Sequence, residues 1–213
     1  MSLIHLELLD EKSRSALKKL SVFKKEGILA GGTALMLQIA HRYSFDFDVF
    51  FQRPLEDADY RKLQSLFDVE QTRVKNQDLF ILMTKDGIEI NFVHYYFPSL
   101  FKAIPAKHLN IYDIRDIAAD KAITLGRRAT WRDYFDIFYF LYKKIFTLNQ
   151  IIELAERKFK VEFNPVLLLE QLVYYDDIQD QKLSFYKEKF TSEFIKKFLF
   201  ETVKRYRQKI IVK

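Results

Sequence analysis

The segment that most constrains this chain is residues 28–51, where an apolar run, a glycine pair and two spaced aspartates follow one another. Ile28-Leu29-Ala30 runs into Gly31-Gly32, which predicts a buried strand entering a tight turn. Residues 33–42 carry apolar side chains at helical spacing, and residues 46–51 start with the alternation of a half-buried strand. The segment therefore predicts a strand, a turn, a helix and a second strand.

Two carboxylates stand two residues apart in the second strand. Side chains at positions i and i+2 of a strand share a face, so Asp46 and Asp48 should be neighbours. Carboxylates this close repel each other unless a cation lies between them, and hard oxygen ligands suit Mg²⁺ that keeps waters and substrate phosphates. A pair of such ions would stabilise both the attacking oxygen and the leaving oxygen of a phosphoryl displacement.

The glycine pair opens the predicted helix, and a helix N-terminus offers free N–H groups to phosphate. Gly31 and Gly32 let the backbone approach a triphosphate closely, and the Thr33 hydroxyl is a further donor. The chain has neither GxxxxGK[ST] nor GxGxxG, which excludes a Walker A loop and a dinucleotide fingerprint. Taken singly, Gly-Gly is most often a plain turn and D-x-D is common on exposed strands. Their combination at this spacing is more specific.

The rest of the chain divides into two halves. Residues 1–110 predict an α/β half and residues 111–213 a helical half that closes a cleft with it. The predicted strands are 68–75, 78–84 and 87–95, and the predicted helices are 10–27, 55–67, 113–127, 130–144, 148–160, 165–175 and 184–210.

Composition bounds the remaining functions. The chain has no cysteine, so disulfides, zinc–thiolate sites and cysteine nucleophiles are excluded. No secretory signal or long apolar run is visible, which predicts a cytoplasmic protein that does not cross a membrane. Residues 143–213 hold 15 Lys and Arg against 10 Asp and Glu. This basic balance fits RNA, an acidic protein partner or a plain solvated face.

Two motifs carry a resemblance to a known family. The first is Gly31-Gly32-Thr33-Ala34-Leu35 with His41-Arg42, Ser44, Asp46, Asp48 and Phe50. The second is Asp116-Ile117-Ala118-Ala119-Asp120-Lys121, then Arg127 or Arg128, then Arg132-Asp133-Tyr134-Phe135-Asp136. Together they resemble the AbiEii/AbiGii-type nucleotidyltransferases of the DNA polymerase β-like superfamily, over about residues 28–145.

The resemblance implies the fold and the chemistry of that family. The fold is an α+β nucleotidyltransferase core with a mixed sheet and a helical C-terminal region. The reaction is transfer of a nucleoside monophosphate from an NTP to a hydroxyl, with Mg²⁺ or Mn²⁺ as cofactor. The family includes toxins of toxin–antitoxin and abortive-infection systems, which implies tRNA as an acceptor and an antitoxin as a partner.

The resemblance also implies roles for single residues. Asp46 and Asp48 hold the metal, while Gly31, Gly32, Thr33 and Ser44 surround the triphosphate. Arg42 and Lys121 meet phosphate charge. Asp133 and Asp136 orient the second motif at the nucleotide. On α-helical spacing Lys121 shares a face with Ile117, so its stem should pack while its ammonium stays free.

One departure separates this chain from the family pattern. The family carries a third carboxylate on a later strand, in a stretch like K-I-D-F, whereas residues 89–92 here read Glu89-Ile90-Asn91-Phe92. Asn91 cannot act as a base, and Glu89, two residues back on the same face, is the candidate replacement. Two alternatives stay open beside the RNA-directed enzyme: a nucleotide-binding, partner-regulated module with impaired catalysis, and a nucleotidyltransferase of small molecules.

Overall fold

The structure is a computed structural model that describes residues 4–127, 130–176, 178 and 183–211. The chain forms two compact units, Met1–Ile114 and Arg115–Lys213. In the described residues, no helix is both long and apolar enough to cross a membrane.

The first unit is built on a six-stranded mixed sheet in the order β3-β4-β5-β2-β1-β6. Its strands are β1 (Gly27–Ala30), β2 (Phe47–Phe51), β3 (Val69–Lys75), β4 (Leu79–Thr84), β5 (Glu89–His94) and β6 (Asn110–Ile111). Its helices are α1 (Glu11–Lys19), α2 (Gly31–Ile39) and α3 (Asp57–Leu66). β2 pairs antiparallel with β1 and parallel with β5. Helix α2, which connects β1 to β2, therefore lies next to the central strands of the sheet.

The two faces of this sheet differ in burial. Alternate residues of the central strands are fully buried on one face, namely Phe47, Val49, Phe51, Phe80, Leu82, Ile90 and Phe92. Between them, Asp48, Glu89 and Asn91 are half-buried on the other face. Because side chains alternate along a strand, the aromatic core on one side fixes which polar groups share the open side. Phe23 packs edge-on against Phe92 in this core, with ring centroids 4.7 Å apart.

The second unit is helical. It contains α4 (Ile114–Arg127), α5 (Trp131–Tyr142), α6 (Leu148–Phe159), α7 (Pro165–Gln171) and α8 (Ser192–Ile211). The aromatic side chains of Tyr134, Phe135, Phe138 and Phe140 on α5 are fully buried in the core of this unit. The predicted fold class, a nucleotidyltransferase-like α/β core followed by a helical region, is confirmed.

Several boundaries differ from the sequence predictions. The α-helix predicted over 10–27 ends at Lys19 and is followed by a 3-10 turn, and the helix predicted over 165–175 ends at Gln171. α2 begins at Gly31, two residues earlier than predicted, and β2 begins at Phe47, so Asp46 lies just before the strand. The helix predicted over 184–210 begins only at Ser192. The aromatic side chains of residues 185 and 190 do pack on α5, but from non-helical backbone. Arg128, one of two arginines considered for the second motif, lies outside the described residues.

Candidate active site

Gly31 brings the start of α2 against the second aspartate. β1 pairs with β2 so that Ala30 faces Asp48, and Gly31 follows with a φ of 66°, in the left-handed region that favours glycine. A Cβ added at Gly31 would lie 1.9 Å from Asp48 Oδ2. The Asp48 carboxylate therefore occupies the space that any other residue at position 31 would fill.

Gly32 brings two more predicted residues to the same turn. A Cβ at Gly32 would lie 2.7 Å from Ser44 Oγ and 3.0 Å from Arg42 Nη2. Arg42 is only 2% exposed, and its Nη1 donates to the Tyr43 carbonyl at 3.3 Å. Burial of a guanidinium beside a helix start concentrates positive charge where an anion can bind. The glycine pair, Asp48, Ser44 and Arg42 thus form one cradle.

Thr33 has a different role from the predicted one. Its side chain is fully buried, and its hydroxyl donates to the Asp46 backbone carbonyl at 2.5 Å. A hydroxyl has one proton to donate, so in this arrangement Thr33 holds the backbone before β2 and does not offer that proton to a phosphate. Spacing along the chain could not reveal this, because the acceptor is a main-chain oxygen 13 residues away.

The two aspartates are half-buried, Asp46 just before β2 and Asp48 within it. Phe45, the residue before Asp46, is 37% exposed and stacks on Tyr43 with ring centroids 5.8 Å apart. The alternation that buries Phe47 and Val49 therefore starts only at β2. The backbone at Asp46 is fixed by the bond from Thr33 rather than by strand pairing.

The open face of β5 carries a chain of polar contacts that ends on Asp48. Asn91 lies beside Asp48 in the parallel β2–β5 register, and its Nδ2 donates to Asp48 Oδ1 at 3.0 Å. The same nitrogen lies 3.3 Å from Glu89 Oε1, and Glu89 Oε2 pairs with Arg73 Nη1 at 2.5 Å. Glu89, the predicted replacement acid, is thus linked to Asp48 through Asn91 and is charge-paired by β3.

These contacts decide which cation the residues fit. In the described part of the chain, no three His, Cys, Asp or Glu side chains converge as a metal site. Asp46 and Asp48 alone offer two carboxylates, which suits a Mg²⁺ that takes its other ligands from water and triphosphate. They do not provide the third acid that a two-metal site uses, because Asn91 presents an amide N–H to Asp48 instead.

In the second unit, the second motif forms an ion-pair cluster. Lys121 Nζ on α4 lies 2.7 Å from both Asp133 Oδ1 and Asp136 Oδ2 on α5. Asp133 also accepts from the Thr130 hydroxyl at 2.6 Å. The prediction that the Lys121 ammonium is free is therefore wrong. Lys121 joins the two aspartates that were predicted with it, and the three side chains are held as one group.

A second lysine–aspartate cluster was missed by the sequence analysis. Lys158 on α6 is fully buried, and its Nζ lies 3.1 Å from Asp116 Oδ1 and 2.5 Å from Asp120 Oδ1. Asp116 and Asp120 are four apart and share a face of α4. That spacing was the one available signal, but the partner comes from a helix about 40 residues later. The first acids of the D-I-A-A-D-K stretch therefore tie α4 to α6.

Helix α8 presents a basic stripe. Ile195, Leu199 and Val203 are buried, whereas Phe200 is 52% exposed. At about 100° per residue, four exposed basic side chains lie within about 60° of Phe200 around the helix axis, namely Lys196, Lys197, Lys204 and Arg207. The exposed acid Glu193 and the buried Val203 lie in the same sector. The Lys196 ammonium lies 5.7 Å from the ring centroid of Trp131, two residues before Asp133.

Comparisons with known proteins concern the family and the fold of this chain. The sequence profile of the family described as "Nucleotidyl transferase AbiEii toxin, Type IV TA system" matches residues 82–209, which is 128 of the 213 residues. An uncharacterized protein of Aquifex aeolicus is 28% identical over 181 residues, covering 81% of this chain and 86% of its own length. The profile match contains β5 and the second motif, and it begins after the glycine-and-aspartate segment.

Two solved structures share the fold. MenT4, the nucleotidyltransferase toxin Rv2826c of Mycobacterium tuberculosis H37Rv, aligns with a TM-score of 0.61 and 14% identity, over 90% of this chain and 81% of that one. A Helicobacter pylori protein classed provisionally as a nucleotidyltransferase aligns with a TM-score of 0.57 and 16% identity, over 94% and 97% of the two chains. The resemblance read from the two motifs is confirmed: the chain belongs to the AbiEii nucleotidyl transferase toxin family.

Proposed function

We propose that this protein is a Mg²⁺-dependent nucleotidyltransferase toxin that moves a nucleoside monophosphate from an NTP to a hydroxyl of RNA, with tRNA as the acceptor. The observation that carries the proposal is the close packing of Gly31 on Asp48 and of Gly32 on Ser44 and Arg42. It joins an acid suited to a metal, a helix start and a buried guanidinium in one cradle. Phosphoryl transfer needs little more than such positioning and charge neutralisation.

Each residue of the cradle has a proposed role. Asp46 and Asp48 would hold the cation, for which Mn²⁺ can stand in, and the cation would neutralise charge on the triphosphate. The α2 N-terminus with Gly31 and Gly32 would receive the phosphates, and Arg42 would balance the leaving pyrophosphate. In the reaction the acceptor oxygen bonds to the α-phosphorus, the bond to pyrophosphate breaks, and the proton of the acceptor hydroxyl passes to solvent water.

The basic stripe of α8 in the second unit supports RNA as the acceptor. The α8 stripe sets four exposed cations and one exposed acid, Glu193, around an exposed aromatic ring, and this excess of positive charge suits phosphate contacts together with stacking on a base. A small-molecule acceptor gives no reason for a stripe of this length. Family membership supports a cognate antitoxin as a further partner, and both RNA and NTP are available in the cytoplasm, where we place the activity.

Labelling separates the enzyme from a binder. The protein is incubated with Mg²⁺, labelled NTPs and total tRNA, and label in RNA is followed over time. Asp46→Ala and Asp48→Ala should each lower labelling at least about a hundredfold, since each removes a charge that stabilises the transition state. Equal labelling by wild type and both variants contradicts the proposal. A matched control is Asp57→Ala, an exposed acid at the start of α3.

A second candidate is a nucleotide-binding module with impaired catalysis. The bond from Asn91 Nδ2 to Asp48 Oδ1 favours it, because the third acid of the family pattern is replaced by a hydrogen-bond donor. NTP binding of normal affinity without labelled RNA or labelled small molecule would select this candidate. Labelling of a small molecule without labelling of RNA would instead favour a nucleotidyltransferase of small molecules.

A further inference from the structure

Asn91 occupies the position where the site would otherwise have its third acid. Building on the proposed function, we infer that Asn91 keeps the nucleotide-free site from holding a divalent cation, so that the cation enters together with the triphosphate. Asn91 is then a positioning residue that makes cation binding conditional on nucleotide.

The orientation of the Asn91 amide follows from its neighbours. One end lies 3.0 Å from Asp48 Oδ1 and 3.3 Å from Glu89 Oε1. Two carboxylate oxygens can both be satisfied only by the NH₂ group, since an amide oxygen there would face two acceptors. The other end, Asn91 Oδ1, is buried and has no hydrogen-bond donor among the described residues. The amide therefore turns its donors toward the acids at the expense of its own oxygen.

Arg73 removes the remaining acid from the site. It reaches from β3 across β4 and pairs with Glu89 Oε2 at 2.5 Å. Both oxygens of Glu89 are then engaged, one by Asn91 and one by Arg73. The negative charge of Glu89 is balanced locally, so it adds little attraction for a cation beside Asp48.

The consequence is a site with too few ligands for a bare cation. Mg²⁺ demands six oxygens in octahedral geometry and gives up water reluctantly. Asp46 and Asp48 supply carboxylates, but Asp48 Oδ1 faces the N–H of Asn91 rather than open space. Phosphate oxygens of an incoming NTP supply the missing negative charge. Nucleotide and cation are therefore expected to bind together.

The test measures Mn²⁺ binding to the nucleotide-free protein from the EPR signal of free Mn²⁺. Asn91→Asp should bind Mn²⁺ at least about tenfold more tightly than wild type, because it adds a carboxylate beside Asp48 and removes the donor. Asn91→Ala removes the donor without adding charge and frees Asp48 Oδ1, so its Mn²⁺ affinity should rise above that of wild type but by less than in Asn91→Asp. Arg73→Gln should strengthen Mn²⁺ binding by about threefold, since it releases Glu89.

Wild type that binds Mn²⁺ without nucleotide as tightly as Asn91→Asp overturns the inference. If Asn91→Asp does not fold, as judged by its thermal melt, an Arg73→Gln variant that gains no Mn²⁺ affinity overturns it equally. RNA labelling is measured separately. If wild type labels RNA but Asn91→Asp shows no gain in Mn²⁺ affinity, the inference is refuted and the proposed function is left intact. A gain in Mn²⁺ affinity without labelling in any variant supports the inference and refutes the function.

Discussion

Gly31 combines backbone conformation and contact at a single residue. Its φ of 66° costs a non-glycine residue about 1–2 kcal/mol, and a Cβ there would overlap the Asp48 carboxylate at 1.9 Å. Gly31→Ala should therefore displace Asp48 as well as strain the turn. We expect nucleotide affinity, measured by titration calorimetry with an NTP and Mg²⁺, to fall roughly tenfold to a hundredfold.

Gly87 provides a matched control for this prediction. It has a φ of 80° in the β4–β5 hairpin, but a Cβ there would meet only Lys12 Nζ at 3.9 Å. Gly87→Ala should lose stability of the same order through backbone strain and keep its nucleotide affinity. Equal nucleotide affinity in Gly31→Ala and Gly87→Ala would show that the contact with Asp48 is irrelevant to binding.

Single residues also mark where sequence reasoning stops. The family resemblance implied that Gly31, Asp48 and Ser44 belong to one site, and their contacts in the structure bring them together. The resemblance could not predict that the Thr33 hydroxyl donates to a main-chain carbonyl or that Asn91 donates to Asp48. Such bonds depend on the register between strands distant in sequence, which local patterns do not encode.

At the scale of elements, α4 and α6 are joined by one buried lysine. Lys158 and Asp116 are both fully buried, and Asp120 completes the cluster. Removing one partner leaves an uncompensated charge in a poorly solvated place, which costs about 3–5 kcal/mol. Lys158→Ala should lower the free energy of unfolding by that amount, measured by urea denaturation.

An exposed ion pair formed by a residue of α4 is the control for Lys158→Ala. Arg127 at the end of α4 pairs with Glu162 at 3.1 Å, and both side chains are more than half exposed. Arg127→Ala should change the free energy of unfolding by less than about 1 kcal/mol, because water screens such pairs. A similar loss in both variants would mean that burial does not determine the strength of these ion pairs.

The elements themselves were predictable to different degrees. The strands predicted over 78–84 and 87–95 located β4 and β5 to within about two residues, and Gly87 between them has a φ of 80°, which favours glycine. β6 was missed because Asn110–Ile111 is too short for any period to show. The start of α8 was misplaced because aromatic residues before Ser192 serve the core without being helical.

Over the whole molecule, positive charge is concentrated late in the chain. Residues 143–213 carry a balance of +5 out of the total +6. Part of that charge is used inside the fold, since Lys158 is buried with two aspartates. In the described residues of α8, by contrast, Lys197, Lys204 and Arg207 are exposed and take part in no ion pair. Most of the excess positive charge on α8 is thus not used within the described residues.

The α8 stripe gives a prediction that distinguishes RNA from an acidic protein. Lys204→Gln should weaken tRNA binding and lower the slope of log affinity against log salt by about one, as for one lost phosphate contact. Phe200→Ala should weaken binding about fivefold to a hundredfold with the slope unchanged, since stacking on a base releases no counterion. Fluorescence anisotropy at several salt concentrations measures both.

Lys209→Gln, about 140° around the helix from Lys204, should change neither the affinity for tRNA nor the salt slope. If Phe200→Ala and Lys204→Gln both bind tRNA like wild type, the stripe does not bind RNA, which leaves an acidic protein partner or a plain solvated face.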